Sequence, residues 1–194
     1  MTGRVIFLLE EPSMAALLNV LLPRLIPDWE AEIDFLCIPH EGKSDLDRSI
    51  PRKLQGWREP GARFVIVRDN DNADCVAVKK RIKTLCNKSG RPDTLVRLVC
   101  QELESWYVGD LVALASAYPD IEVNTVRHRK RFAKPDSLNK PSVELKSAVP
   151  SFQKLSGARA IAPHLSLSAE NNTSHSFGVF IAGVRQIANV AAPD

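Results

Sequence analysis

Residues Phe64 to Cys75 read FVIVRDNDNADC. Phe64, Val65, Ile66 and Val67 form a short continuous apolar run, the pattern of a strand covered on both faces. The run passes into Arg68 and then meets three aspartates, Asp69, Asp71 and Asp74. Like charges this close repel, so water, a basic neighbour or a metal ion has to compensate them. An Asx-rich turn, with Asp74 as N-cap of a following helix, is the structural alternative for part of the pattern.

The same grammar extends on either side. RVIFLL (Arg4 to Leu9) is another short apolar run, and Pro12 after Glu10 and Glu11 suits the first turn of a helix. That helix continues through SMAALLNVLLPRL, with Leu17, Leu18, Leu21, Leu22 and Leu25 at helical spacing, and should kink or end near Pro23. EIDFLCIP reads as a second strand. SDLDRSIPRKLQGW reads as a helix with Ser44 as N-cap and a break at Pro51. ARFVIV is the third strand. CVAVKKRIKTLCNKSG is a helix with Gly90 as its C-cap, TLVRLVCQELESW carries a fourth strand, and YVGDLVALASAY a further helix.

Strand alternating with helix four times predicts an α/β fold, a mainly parallel four-stranded sheet with helices on both faces. From Pro119 the pattern loosens: Pro135, Pro141, Pro150 and Pro163 interrupt it, and SLSAENNTSHS is polar. A last apolar helix, FGVFIAGVRQIANV, should pack back on the core. The expected organisation is an α/β domain over 1–118 and a basic helical and loop C-terminal extension over 119–194 on the same core.

With 194 residues, 44% hydrophobic and 25% charged, the composition is that of a globular domain able to fold without a disulfide. No apolar run approaches the roughly 18 residues of a membrane span, and no signal peptide is recognisable, so the expectation is a cytoplasmic protein without membrane contact. Cys37, Cys75, Cys86 and Cys100 form no C-x-x-C pair and read as buried free thiols. The four histidines are scattered, without a zinc pattern. The net charge of +3 is uneven: residues 1–119 carry 16 basic and 17 acidic side chains, residues 120–194 carry 10 and 6. The densest basic run is RHRKRF. Its Arg127, Arg129, Lys130 and Arg131 are either a solvated face or contacts to nucleic-acid phosphates.

Three strands end in carboxylates: Glu10-Glu11, then Asp69-x-Asp71-x-x-Asp74, then Glu102-x-Glu104. In a parallel sheet these ends share one edge, where α/β proteins bind ligands. Strand alternation would turn both members of D-x-D and of E-x-E to one face. Hard oxygen donors so placed suit Mg²⁺ or Mn²⁺. Each motif alone reads as a solvated turn or surface; their coincidence at three strand ends favours a metal site. Lys43 in EGKSDL lacks the glycine spacing of a P-loop and is a surface lysine or a phosphate contact. Trp106 and Tyr107 read as core anchors rather than base-stacking platforms.

An acidic residue ending the first strand with D-x-D ending the third resembles the Toprim fold of topoisomerases, bacterial primases and overcoming-lysogenization-defect nucleases. More closely, LLEEPSMAALL, GKSDL, RDNDNADC, QELESWYVGD, KPDSLNKPS and FQKLSGARAIAPHL together resemble a Toprim-like family known only as a domain of unknown function. The resemblance spans most of the chain. It implies that Glu10, Asp69 and Asp71 coordinate divalent metal for phosphoryl transfer. It also places Lys154 and Arg159 in a segment where they face phosphate or plain solvent. One departure stands out: the broader pattern has E-G followed by a further acid, whereas this chain has Glu11 for the glycine and Met14 near the acid. Glu11, Glu102 or Glu104 then has to supply the missing carboxylate, and the number of metals stays open.

The expected function is a divalent-metal-dependent nuclease or related phosphoryl-transfer enzyme. The resemblance adds an ABC-type or chromosome-maintenance-type ATPase partner in phage defence. The alternative is a non-catalytic Toprim-like subunit that binds an ATPase or nucleic acid.

Overall fold

The computed structural model describes residues 3–168 and 170–189. Its core is a four-stranded sheet, β1 (Val5–Leu9), β2 (Phe35–Pro39), β3 (Arg63–Asp69) and β4 (Leu95–Val99), in the order β2-β1-β3-β4. Every pairing is parallel, so the parallel sheet expected from the sequence is present. The register sets Leu9 beside Pro39 and Val67, and Asp69 beside Val99. The carboxyl ends therefore share one edge.

Strand alternation divides the core. Val5, Phe7, Leu9, Val65 and Val67 face α1 (Pro12–Leu25) in one buried cluster. Ile6, Leu8, Phe64 and Ile66 face α2 (Lys43–Gly56) and α3 (Cys75–Lys88) in the other, against Leu46, Ile50, Leu54, Ile82 and Cys86. The helices thus lie on both faces of the sheet.

After β4 come α4 (Glu104–Val108), α5 (Leu111–Ala117), α6 (Val126–Arg131), α7 (Pro141–Ala148), α8 (Lys154–Ile161) and α9 (His175–Asn189). α8 packs on α1 and α9 on β4. Arg24 of α1 donates to the carbonyls of Ala162 and Leu165 at 2.6 and 2.9 Å, fastening the end of α8. Among the described residues no helix is long and apolar enough to cross a membrane.

Three local expectations change. Pro51 lies inside a continuous α2, because Ile50 and Leu54 on either side are buried against the sheet and tertiary packing overrides the local cost of the proline. The cap of α2 is Gly42 rather than Ser44. At φ 97° it occupies a backbone region costly for other residues, and its N–H donates to the carbonyl of Glu10 at 2.9 Å. β4 stops at Val99, so Glu102 and Glu104 are not strand residues.

Gly157 in α8 gives a test of this packing. A Cβ there would lie 2.3 Å from Phe152 Cε2, and that ring is buried. Gly157→Ala should destabilise the fold by about 1–2 kcal/mol, because overpacking outweighs the helix-propensity gain of alanine. Thermal denaturation reads this as a lower Tm; an unchanged Tm would mean that the Phe152 ring gives way to the added methyl at no cost.

Candidate functional site

The edge formed by the carboxyl ends of β1, β3 and β4 gathers Glu10, Glu11, Asp69, Asp71 and Glu104. Glu10 follows β1, and its Oε2 accepts from the backbone N–H of Asp69 at 3.1 Å, linking the two strand ends. Asp69, the last residue of β3, is 5% exposed, and its Oδ1 has no hydrogen-bond partner. Glu104 is 2% exposed at the start of α4, and its Oε2 is likewise unpartnered. The hydroxyl of Tyr107, one helical turn on, is a third unpartnered polar atom. Unmatched buried oxygens cost about 1–3 kcal/mol each, so three in one place mark a site awaiting partners rather than a settled core.

Asp69 and Asp71 do not share a strand face as alternation predicted. Asp71 lies beyond β3 with φ 48° and is exposed, whereas Asp69 is buried. Both still reach the edge because the loop folds back: Asn70 N–H donates to Val99 O at 3.1 Å, Asp71 N–H to Gln101 O at 3.1 Å, and Asn72 N–H to Gln101 Oε1 at 2.8 Å. Glu104 is likewise delivered by a helix start, not by alternation with Glu102.

Electrostatics follow from burial. Burial pushes the Asp69 carboxyl well above its ordinary range, and the charges of Glu10, Glu11, Glu104 and Asp71 add to it. Burial pushes Glu104 up to about 7, against the pull of Lys154. Glu10 is raised by burial, partly offset by Arg68. Burial acts to lower Lys154, but Glu104, Glu11 and Asp69 outweigh it and leave the ammonium raised.

Three cations answer the cluster. Lys43 Nζ lies 2.9 Å from Asp71 Oδ2, Lys154 Nζ 3.1 Å from Glu11 Oε2, and buried Arg68 Nε 3.7 Å from Glu10 Oε2. Arg68 also pairs with Asp47 at 3.1 Å. Glu11 additionally accepts from the Ser13 hydroxyl.

The remaining candidates lie elsewhere or are engaged. Asp74 caps α3, its Oδ1 accepting from Ala77 N–H at 2.9 Å. Glu102 Oε2 accepts from Ser142 N–H at 2.8 Å. Arg127, Arg129, Lys130 and Arg131 stand exposed on α6, where Arg131 pairs with Glu144 and Arg129 donates to Asn124 Oδ1 at 3.0 Å. Arg159 is exposed near the end of α8. Beside the cluster runs a groove of about 510 Å³, lined by Glu104, Ser142, Val143, Lys146, Phe152 and Lys154 among others.

A model of the family described as a domain of unknown function, DUF4276, matches residues 9–185. The chain belongs to the DUF4276 family. No curated protein matches it. Among solved structures it resembles the C-terminal region of the Burkholderia pseudomallei OLD protein, with TM-score 0.53 and 16% identity over 96% of this chain and 99% of that one. It also resembles the C-terminal region of the Xanthomonas campestris pv. campestris OLD protein, with TM-score 0.52 and 14% identity over 97% and 98%. At such identity the shared property is the fold, the parallel four-stranded sheet flanked by helices.

Among the described residues of this DUF4276 protein, no three His, Cys, Asp or Glu side chains converge closely enough to hold an ion as they stand. Lys43 and Lys154 act as counter-ions instead. The donor set nonetheless fits a hard divalent cation: all the acidic donors are carboxylate oxygens, and two of them are buried without a partner.

Two members of the site were not legible as such. Arg68 read as the end of a strand and is the buried counter-charge of Glu10; an arginine between an apolar run and the first aspartate was its only signal. Tyr107 read as a core anchor, and it is buried, but its hydroxyl shares the interior with Glu104 and Asp69.

Proposed function

We propose that this DUF4276 protein is a divalent-metal-dependent nuclease or related phosphoryl-transfer enzyme acting on nucleic acid. The observation that carries the reading is the pair of buried, unpartnered carboxylate oxygens, Asp69 Oδ1 and Glu104 Oε2, beside Glu10 at the carboxyl edge of a parallel sheet. Glu10, Asp69 and Asp71 would hold Mg²⁺ or Mn²⁺. Glu11, Glu102 and Glu104 would complete or orient that set, with Asp74 joining only by leaving its cap. Such an ion supplies Lewis-acid activation of water and of the phosphate, and neutralises charge on both. Lys43 and Lys154, no longer needed as counter-ions, would turn to substrate phosphates. The groove beside Glu104 and Lys154 would receive the strand, and the basic α6 and Arg159 would hold its flanks. By the resemblance, an ABC-type or chromosome-maintenance-type ATPase is the expected partner, in phage defence.

Incubation of the purified protein with labelled DNA and with tRNA, in Mg²⁺ and in Mn²⁺, tests the reading. Metal-dependent cleavage lost in Asp71→Ala is the expected result. Cleavage that survives Asp71→Ala would assign the activity to another site. The second reading, a non-catalytic subunit that binds an ATPase partner or nucleic acid, is favoured by Glu11 at the glycine position and by its pairing with Lys154. It becomes the better one if the wild type cleaves nothing, alone or with an ATPase partner.

Binding should separate from chemistry. Replacing Arg127 and Lys130 with Ala removes two charges from α6 and should weaken nucleic-acid binding for all sequences, lowering the slope of log K against log salt by roughly 1–2. Asp71→Ala should leave binding largely intact, since losing a carboxylate relieves repulsion of the backbone. A salt titration of binding for each variant provides the measurement; an unchanged slope in the α6 variant would remove that helix from the interface.

A further inference from the structure

α2 and α3 are far more basic than the chain they belong to. Together they hold nine lysines and arginines against two aspartates, net +7, whereas the whole chain is +3. Along the sequence this excess is masked by the acidic strand ends that lie between and around the two helices. α3 carries Lys79, Lys80, Arg81, Lys83 and Lys88 and no acidic residue. Both aspartates of α2 are engaged. Asp47 pairs with Arg68 at 3.1 Å and with Arg81 at 2.8 Å, and Asp45 accepts from the Glu41 N–H at 3.2 Å with Arg48 3.9 Å away. Arg52, Lys79, Lys80 and Lys88 are exposed and make no ion pair among the described residues.

A solvated helix face ordinarily mixes signs, because like charges three or four residues apart repel. This one does not, and its cations are spread along a surface with a definite direction. α2 and α3 pack side by side on one face of the sheet. Each follows the carboxyl end of a strand: Lys43 of α2 lies 2.9 Å from Asp71, and Asp74 caps α3. Both helices therefore run from the acidic edge toward the opposite edge, 14 residues or about 20 Å apiece. Lys80 and Lys88 stand about 12 Å apart along α3. Over about 20 Å of its axis a nucleic-acid duplex presents about 12 phosphates. Neither helix contains an aromatic residue, and Trp57, just after α2, stands at 89° to the Phe64 ring, 5.8 Å between centroids. Unpaired bases are held by stacking on aromatic platforms. A face with cations and no platform suits paired strands, whose phosphates lie outermost.

We propose that the α2–α3 face binds the phosphate backbone of duplex nucleic acid without regard to base sequence, through Arg52, Lys79, Lys80 and Lys88. Nucleic acid as the class of partner rests on the reading above; the duplex form and this surface go beyond it. The face is separate from α6, because Phe132 at the end of α6 is buried in the cluster on the α1 side of the sheet. One end of the surface adjoins Lys43 and the aspartate loop, so a duplex lying along it reaches the acidic edge.

Fluorescence anisotropy of the full chain in EDTA, with a labelled DNA duplex, an RNA duplex of the same sequence and one DNA strand alone, provides the test. Expected is tighter binding of the duplexes than of the single strand, falling steeply with salt; a preference between the duplexes assigns DNA or RNA. Arg52→Ala, Lys80→Ala and Lys88→Ala combined should lower the slope of log K against log salt by roughly 2–3. Duplex binding at about 0.1 M salt should weaken on the order of a hundredfold. Arg52→Lys, Lys80→Arg and Lys88→Arg combined keep the charge and should restore the wild-type slope. All three positions are exposed, so the melting temperature should hold in both variants. A wild-type slope in the alanine variant overturns the face. A single strand bound as tightly as the duplexes overturns the duplex assignment, and a wild type that binds neither duplex at low salt gives the face to an acidic protein partner. EDTA keeps cleavage out of the measurement. A wild type that binds through this face and never cleaves defeats the nuclease reading alone; metal-dependent cleavage with an unchanged slope in the alanine variant defeats this surface alone.

Discussion

Asp69→Asn is expected to raise the Tm of the metal-free protein and to remove most of its response to Mg²⁺ or Mn²⁺. Asp69 is 5% exposed, its Oδ1 is unpartnered, and four other carboxylates raise the cost of its charge. Asparagine keeps the shape, drops the charge and brings an N–H₂ that neighbouring carboxylates can accept. Relief of a buried unpaired acceptor is worth about 1–3 kcal/mol, and each kcal/mol moves Tm by roughly 2–4 °C in a chain of this size. The metal response runs the other way. An ion present at a hundred times its Kd stabilises the wild type by about 2.7 kcal/mol, and the variant, lacking a ligand, should show little of that. Paired melting curves with and without metal decide the matter. A wild type indifferent to both ions, or a variant that responds as fully as wild type, would remove Asp69 from any metal site.

The second large effect is on pH dependence. Burial pushes Glu104 up to about 7 from an ordinary 4.5. Below about 4.5 the carboxyl is protonated in both states, and the preference of the interior for the neutral acid is fully present. Between 4.5 and 7 the folded protein keeps a proton that the unfolded chain has released, so stability falls as pH rises. Above about 7 the native carboxylate is ionised and the contribution is gone. At 1.36 kcal/mol per pKa unit, the whole effect is on the order of 3 kcal/mol. Glu104 is 2% exposed, so solvent screening takes little from it. Glu104→Gln should therefore flatten the decline of Tm with pH in chelator-treated protein. Parallel curves for variant and wild type would mean that Glu104 does not carry the titration.

Both effects depend on residues whose importance the sequence conveyed unequally. Continuous apolar runs at Val5–Leu9 and Phe64–Val67, separated by helical periodicity, were enough for a parallel sheet, because burial on both faces excludes the polar alternation of a one-sided strand. Parallel strands place their ends on one edge, so Glu10 and Asp69 could be brought together from the linear pattern alone. Local chemistry was legible as well: Pro12 opens α1, Asp74 caps α3, and Gly90, at φ 75°, follows it.

Tertiary structure decided what depends on paths between elements. Asp71 leaves the strand and returns only because Gln101 holds its backbone, a contact across 30 positions that no local pattern encodes. Lys43 and Lys154 arrive at the acidic cluster from opposite ends of the chain, one through Gly42 bonded to Glu10, the other through α8 packed on α1. Arg68 became a counter-charge, and Tyr107 a polar neighbour of Glu104, only once burial removed the water that would otherwise have served them. Periodicity and strand-end position report which face or edge a residue occupies. The partners of a charge are set by which distant segments the packed core brings alongside it, because desolvation makes an unpaired buried charge far costlier than any local preference.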